Sequence, residues 1–194
     1  VVMAVWGMML ALRRSNRRGE IREVLVLTPT SARLTRSDPG RDKRRWQAKR
    51  RAEGKSTEKP NIVMSSAVQM CWEKFCNYFE VEARYVPITD EHRELDGHDL
   101  GSYVDENTIG VVAIMGVTYT GAYEPVQQIA AVLDQIAADT GVDVPIHVDG
   151  ASGAMIAPFC QPDLVWDFAL DRVASISTSG HKYGLVYPGV GWVV

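Results

Sequence analysis

The sequence predicts an α/β fold in which a mainly parallel sheet is flanked by helices. Short apolar runs alternate with segments of helical periodicity, and residues 109–115 are apolar almost throughout, as in a strand covered on both faces. Alternating strands and helices need crossover connections, so neighbouring strands are expected to run parallel. The composition, with 46% hydrophobic and 23% charged residues, excludes disordered, collagen-like and coiled-coil proteins.

Each element after residue 60 has its own local signal. The strands, predicted from short apolar runs, are residues 61–64, 81–88, 109–115, 144–148, 173–176 and 190–194. The helices, predicted from apolar spacing, are residues 68–80 and 126–137, with a short one before residue 107. Ser65-Ser66 is expected to cap the first of these helices, and Gly141 is expected to end the second.

Charge is divided unevenly along the chain. Residues 1–60 carry sixteen Lys and Arg against six Asp and Glu, and the remainder carries five against eighteen. The densest basic segment, residues 41–59, has two interpretations: a solvated helix face followed by a polar turn over 53–56, or a nucleic-acid-binding module. Only Trp46 offers a stacking ring within it, so the solvated helix is preferred.

The cysteines and the apolar residues 1–12 indicate the cellular compartment that is expected for this protein. Three cysteines are too few and too odd in number for a disulfide framework, which favours free thiols in a cytoplasmic setting. Residues 1–12 are apolar but too short to span a membrane, and Arg13-Arg14 follow them instead of preceding them as in a signal peptide. No membrane association is expected. The chain starts without Met and ends in an apolar run, so it is expected to be a piece of a longer protein.

Two predicted strand ends carry side chains that can take part in catalysis. Asp149 ends one strand and is followed by small residues, which would let a flat group approach the backbone. Lys182 stands in a Gly-bounded loop after another strand. In parallel sheets ligands bind beyond the carboxyl ends of the strands. A lysine that forms a Schiff base and an acid that keeps a pyridine nitrogen protonated are what pyridoxal phosphate chemistry needs. His147 and Asp149 lack further ligands at suitable spacing, so no metal site is predicted.

Several motifs together resemble one family. They are residues 61–75, 116–121, 147–153, 166–168 and 179–192. In this order they closely resemble the glutamate decarboxylases, group II decarboxylases that depend on pyridoxal phosphate. The resemblance runs from about residue 43 to residue 194, which implies part of a large cofactor-binding domain of the aspartate aminotransferase-like class. Residues 1–42 do not match, and the small C-terminal domain is expected to be absent.

The resemblance implies roles for individual residues. Lys182 would bind the cofactor covalently, and Asp149 would pair with its pyridine nitrogen; these two are the predicted catalytic residues. Ala151 would pack against one face of the ring, and Gln69, at the start of its helix, would lie over the other face.

Three further residues complete the predicted cofactor site. Thr118 would lie beside the ring substituents, and Ser179 and His181 would help to hold the phosphate. The family also places a Ser-Ser-Glu-Ala segment and a helix start at the phosphate, where this chain has residues 28–34 followed by Asp38-Pro39-Gly40. Pro39-Gly40 is expected to break a helix where the family forms one.

The implied activity is decarboxylation of L-glutamate to 4-aminobutanoate and carbon dioxide, through an external aldimine, by a complete enzyme that is at least a homodimer. Another pyridoxal-phosphate-dependent amino-acid decarboxylase is an alternative, although Gln69 argues against it because those enzymes more often place a histidine over the ring. A catalytically inactive truncated fragment is a second alternative. The nucleic-acid-binding module at residues 41–59 is the third, from a different class of protein.

Overall fold

The computed structural model describes Leu25–Leu27 and residues 38–194 of the chain. The strands, in chain order, are β1 (Leu25–Leu27), β2 (Asn61–Ser65), β3 (Glu82–Val86), β4 (Thr108–Ile114), β5 (Ile146–Asp149), β6 (Val173–Ser179) and β7 (Gly191–Val193). They form one seven-stranded sheet in the order β1-β7-β6-β5-β4-β2-β3. Strand β7 is antiparallel to both of its neighbours, β1 and β6, and the other pairs in this described sheet are parallel. The predicted fold class, an α/β fold with a mainly parallel sheet, is confirmed.

The helices lie between the strands as the periodicity predicts. They are α1 (Asp38–Ala52), α2 (Met70–Phe79), α3 (Leu100–Tyr103), α4 (Val126–Thr140) and α5 (Ala157–Cys160), with a 3₁₀ turn over Gly153–Met155. Helix α4 ends at Gly141, whose φ of 76° is left-handed and suits glycine at a helix end. The predicted helices over 68–80 and 126–137 and the predicted C-cap are confirmed.

Two local predictions are wrong. Ser65-Ser66 does not cap α2, because Gln69 occupies the N-cap position and Ser65 belongs to β2. Ser66 instead joins the chain after β3, since its hydroxyl accepts a hydrogen bond from Ile88 N–H at 3.1 Å. Pro39-Gly40 does not break a helix, because both residues lie in the first turn of α1. The first-turn N–H groups have no intrahelical acceptor, so proline costs no hydrogen bond there.

Strand β4 lies in the middle of the core, and all seven of its residues are buried. On one face Val111 shares a cluster with Ile129 and Leu133 of α4, and on the other Val112 shares a cluster with Trp72 of α2. Each such side chain stabilises the fold by about 1.5–3 kcal/mol when fully buried. Packing on both faces therefore holds β4 in place, and β5 is positioned by pairing with β4.

The basic helix α1 binds its own chain as well as facing solvent. Arg50 is buried, and its Nη1 donates to the backbone oxygen of Glu106 at 3.0 Å. Trp46 Nε1 donates to the same oxygen at 3.2 Å, and Lys43 Nζ donates to the backbone oxygen of Phe79. The helix expected within residues 41–59 and the polar turn expected after it are both present.

Residues 1–12, expected to be too short to span a membrane, and residues 28–34, expected to differ from the family's phosphate segment, lie outside the described residues. Across the part of the chain that is described, no helix has the length and apolar character needed to cross a bilayer.

Candidate active site

The candidate site lies where β4, β5 and β6 end. These three strands are adjacent and parallel, so their carboxyl ends meet at one edge of the sheet. Asp149 is the last residue of β5, Thr118 follows β4, and Lys182 follows β6. Sequence spacing alone identified these strand exits, because the apolar runs mark where each strand stops.

Two N–H donors orient the carboxylate of Asp149, which is only 8% exposed. Trp72 Nε1 donates to Oδ2 at 2.8 Å, and the backbone N–H of Ala151 donates to Oδ1 at 3.1 Å. Trp72 was predicted only as part of an apolar helix face. A buried tryptophan usually needs an acceptor for its N–H, so the predicted burial of Trp72 could have indicated that it has a polar partner.

His147 lies two residues before Asp149 on the same face of β5 and is also buried. Its Nδ1 lies 2.7 Å from Ser175 Oγ and its Nε2 lies 3.2 Å from Ser177 Oγ. Burial lowers the pKa of His147 to about 4, so its ring is neutral near pH 7. A neutral imidazole has one donor and one acceptor nitrogen, and the two hydroxyls can satisfy both.

Lys182 reaches across to the loop that follows β5. Its Nζ donates to Ser152 Oγ at 3.2 Å. The side chains of Lys182 and Ser152 border a cavity of about 630 Å³ at the carboxyl edge of the sheet. Its lining includes Gly116, Thr118, Tyr123, Ser152, Lys182, Tyr183 and Leu185. Lys182 and Thr118, two of the predicted site residues, therefore share one cavity.

The small residues after Asp149 serve the packing of the chain itself. A Cβ on Gly150 would lie 2.5 Å from Ala154 Cβ and 2.9 Å from the backbone oxygen of Ser177. A Cβ on Gly153 would lie 2.5 Å from the backbone oxygen of Met115. These distances show that packing within the chain already requires glycine at both positions, and the approach of a flat group stays a prediction.

The remaining predicted residues differ in how closely they join the site. Ala151 is half-buried, and its backbone oxygen accepts a hydrogen bond from Ser179 N–H at 3.2 Å. Gln69 is half-buried at the start of α2, while His181 is exposed. Neither Gln69 nor His181 is among the residues that line the cavity beside Lys182. Their assigned roles stay predictions.

Cys71 is a second residue that the motifs did not assign to the site. Partial burial and the negative charge of Asp149 raise the pKa of its thiol, and the amine of Lys182 acts in the opposite direction. The two charges belong to the predicted catalytic residues.

Glu124 is a buried carboxyl group next to this region and is only 1% exposed. Its Oε1 accepts a hydrogen bond from Leu95 N–H at 3.2 Å, and its Oε2 accepts one from Ile114 N–H at 2.6 Å. Burial raises the pKa of Glu124 to about 7, and the charge of Asp149 acts in the same direction. The side chain ties the end of β4 to the loop before α3.

The groups present fit pyridoxal phosphate by their chemistry. Asp149 is an oriented acid that suits a protonated ring nitrogen, and Lys182 is an amine that suits an aldehyde. They come from paired strands, since Asp149 is in register with Ser177 of β6. The hydroxyls of Thr118 and Ser152 add polar partners at the cavity.

Comparison with known proteins gives a consistent result. A sequence model described as the pyridoxal-dependent decarboxylase conserved domain matches residues 2–194. Glutamate decarboxylase 5 of Arabidopsis thaliana is 55% identical over 152 residues, covering 78% of this chain and 31% of that protein. Glutamate decarboxylase beta of Listeria monocytogenes is 53% identical over 137 residues, covering 71% of this chain and 30% of that protein. The chain thus spans about 30% of the length of these curated relatives.

Solved structures share the architecture. A glutamate decarboxylase from Lactobacillus brevis superposes with a TM-score of 0.86 at 41% identity, covering 98% of this chain and 43% of that one. A sphingosine-1-phosphate lyase from Burkholderia pseudomallei superposes with a TM-score of 0.71 at 27% identity, covering 100% of this chain and 42% of that one.

Proposed function

Because the chain belongs to the pyridoxal-dependent decarboxylase family, we propose that it supplies part of the active site of an enzyme that decarboxylates L-glutamate to 4-aminobutanoate and carbon dioxide. The substrate assignment rests on curated relatives named glutamate decarboxylase at 53–55% identity. The observation that carries the chemistry is the pairing of an oriented acid, Asp149, with an amine, Lys182, at neighbouring strand ends.

When bound, pyridoxal phosphate supplies an electron sink for the bond between Cα and the carboxylate of the substrate. Asp149 is the residue that would hold a proton on the ring nitrogen, and its two N–H contacts keep the carboxylate in one orientation. Lys182 would bind the cofactor covalently, and Ser152 accepts a hydrogen bond from its amine at the cavity. The carboxylate of Asp149 would favour the transition state, because it would lie beside the ring as charge develops there.

The other predicted residues would position the cofactor. Thr118 offers a hydroxyl in the cavity that Lys182 borders. Ala151 and Gln69 are proposed to lie against the two faces of the ring, and Ser179 and His181 to hold the phosphate. The backbone contact between Ser179 and Ala151 supports a shared location for two of these residues.

We also propose a homo-oligomer, at least a dimer, in a cytoplasmic setting. Large apolar side chains are exposed close to the cavity: Tyr119 is 74% exposed, Leu185 82% and Tyr187 92%. A second copy covering these side chains would remove apolar surface from water. Two of the three free cysteines, Cys71 and Cys160, are exposed thiols, which supports a reducing compartment.

The test is release of carbon dioxide by the full-length protein supplied with pyridoxal phosphate, measured with L-glutamate, L-tryptophan and L-cysteine sulfinate as competing substrates. We expect release from glutamate and its loss in Lys182→Ala. Lys74→Ala is the matched control, because Lys74 is an exposed lysine on α2. Release from another amino acid with none from glutamate would contradict the substrate, and unchanged release in Lys182→Ala would contradict the role of the lysine.

A further inference from the structure

We propose that Trp72 is a positioning residue that sets the orientation of Asp149 toward the ring nitrogen of the cofactor, an inference that rests on the proposed function. The indole Nε1 donates to Asp149 Oδ2 at 2.8 Å. Both side chains are buried, with Trp72 5% exposed and Asp149 8% exposed. Water is therefore a poor substitute for this contact.

The contact matters because an aspartate carboxylate rotates easily about its last torsion angle. The other donor to Asp149, the backbone N–H of Ala151, comes from the same loop and contacts Oδ1 at 3.1 Å. Trp72 comes from a different element, α2, and contacts the opposite oxygen. The two contacts together fix the plane of the carboxylate, whereas the contact from Ala151 alone would leave it hinged on one oxygen.

The indole is itself held by packing that does not depend on Asp149. Its ring meets Phe75 edge-on, with centroids 6.0 Å apart, and meets His147 with centroids 5.3 Å apart at 61°. His147 is fixed in turn by the hydroxyls of Ser175 and Ser177. A phenylalanine at position 72 can keep much of this packing and loses only the N–H and one ring. The same change at Trp166, another buried tryptophan, therefore controls for the lost ring.

The expected effect is measurable in cofactor binding. A hydrogen bond to a charged group is worth more than a neutral one, and its loss lowers the affinity it supports by about tenfold to a hundredfold. In Trp72→Phe we therefore expect the Kd for pyridoxal phosphate to rise at least about tenfold. At saturating cofactor, kcat should fall by a similar factor while KM for glutamate stays within about twofold, because Asp149 acts as charge develops in the transition state.

The experiment uses the full-length protein and titrates pyridoxal phosphate into wild type, Trp72→Phe and Trp166→Phe. Trp166 is the matched control, since it is also a buried tryptophan, 3% exposed, and is not a partner of Asp149. Its substitution should leave the Kd within about twofold of wild type. A Kd for Trp72→Phe equal to that of wild type would overturn the inference.

A double-mutant cycle tests whether Trp72 acts through Asp149. In the Asp149→Ala background, Trp72→Phe should change the Kd by less than about twofold, because the acceptor of the N–H is already removed. The same loss in both backgrounds would show that Trp72 acts through packing alone and would overturn the inference. If Trp72→Phe fails to fold, benzothienylalanine at position 72 keeps the bicyclic shape without the N–H and should give the same rise in Kd.

Binding and turnover separate this inference from the proposed function. A wild-type protein that binds pyridoxal phosphate but releases no carbon dioxide from glutamate contradicts the proposed substrate, while the Kd comparison still decides the role of Trp72. A wild-type protein that binds no pyridoxal phosphate contradicts both.

Discussion

The amine of Lys182 lies 3.2 Å from the hydroxyl of Ser152, so a side-chain hydrogen bond joins the loops that follow β6 and β5. The strands that lead into these loops are parallel neighbours, and Asp149 is paired in register with Ser177. The sheet thus brings the lysine and the acid, which are far apart in the sequence, to neighbouring strand ends.

Removal of the Ser152 hydroxyl should loosen Lys182. In Ser152→Ala we expect the Kd for pyridoxal phosphate to rise by about threefold to tenfold, the range for one intramolecular hydrogen bond. Cofactor titration of the full-length protein measures it. Ser102→Ala, at an exposed serine on α3, is the control and should leave the Kd unchanged. Equal Kd values for Ser152→Ala and wild type would show that the contact does not position the lysine.

Asp149→Asn should separate binding from turnover. The amide cannot carry the negative charge that would favour a protonated ring nitrogen, so turnover of glutamate should fall at least ~10²-fold while Lys182 still reacts with the cofactor. The rate of carbon dioxide release measures the first effect and the cofactor absorbance measures the second. Asp163→Asn, at an exposed aspartate, is the matched control. Near-normal turnover in Asp149→Asn would mean that Asp149 is only a turn residue.

Glu124 should make stability depend on pH. Burial raises its pKa from 4.5 to about 7, so the folded state holds the proton more tightly than the unfolded state. The free energy of unfolding should therefore fall by about 3 kcal/mol from this group as pH rises from 4.5 to 7. Urea denaturation at several pH values measures how the free energy of unfolding changes with pH. Glu124→Gln should lose the contribution of Glu124 to that change.

His147 opposes Glu124 over nearly the same range and provides the internal check. Burial lowers its pKa from 6.5 to about 4, so the unfolded state takes up the proton first and stability is lost as pH falls from 6.5 to 4. In Glu124→Gln the free energy of unfolding should rise with pH because of His147 alone. In His147→Gln it should fall with pH because of Glu124 alone. Identical slopes in wild type and Glu124→Gln would refute a raised pKa at Glu124.

Gly150→Ala should destabilise the fold at the site. The added Cβ would lie 2.5 Å from Ala154 Cβ in a packed loop, and overpacking of this kind typically costs about 1–3 kcal/mol. Gly101→Ala is the control, because its added Cβ would meet only Ile136 Cδ1 at 4.0 Å. Urea denaturation of both variants decides, and a Gly150→Ala variant as stable as wild type would contradict the packing explanation.

Local patterns were enough to predict the frame of the molecule. The apolar run of β4, the apolar face of α4 and the glycine that ends it depend on neighbours within a few residues, so sequence spacing predicts them. The parallel arrangement then locates the strand exits, where Asp149 and Lys182 stand. The predicted resemblance and the predicted cofactor class are confirmed by the family match.

Contacts between distant elements could not be predicted from local patterns. Trp72 of α2 donates to Asp149 at the end of β5, and nothing near residue 72 in the sequence indicates this partner. Glu124 belongs to a residue type that is usually exposed, yet two backbone N–H groups hold it in the core. Ser66 has the chemistry of a helix cap, but it contacts Ile88 because β2 and β3 are paired.

The most direct test of the central claim is to map the covalent attachment of the cofactor. The full-length protein is incubated with pyridoxal phosphate, reduced with borohydride, digested and examined by mass spectrometry. We expect a pyridoxyl group on the peptide that contains Lys182, retained in Lys74→Ala and lost in Lys182→Ala. A label on a different lysine, or a protein that takes up none, would contradict it.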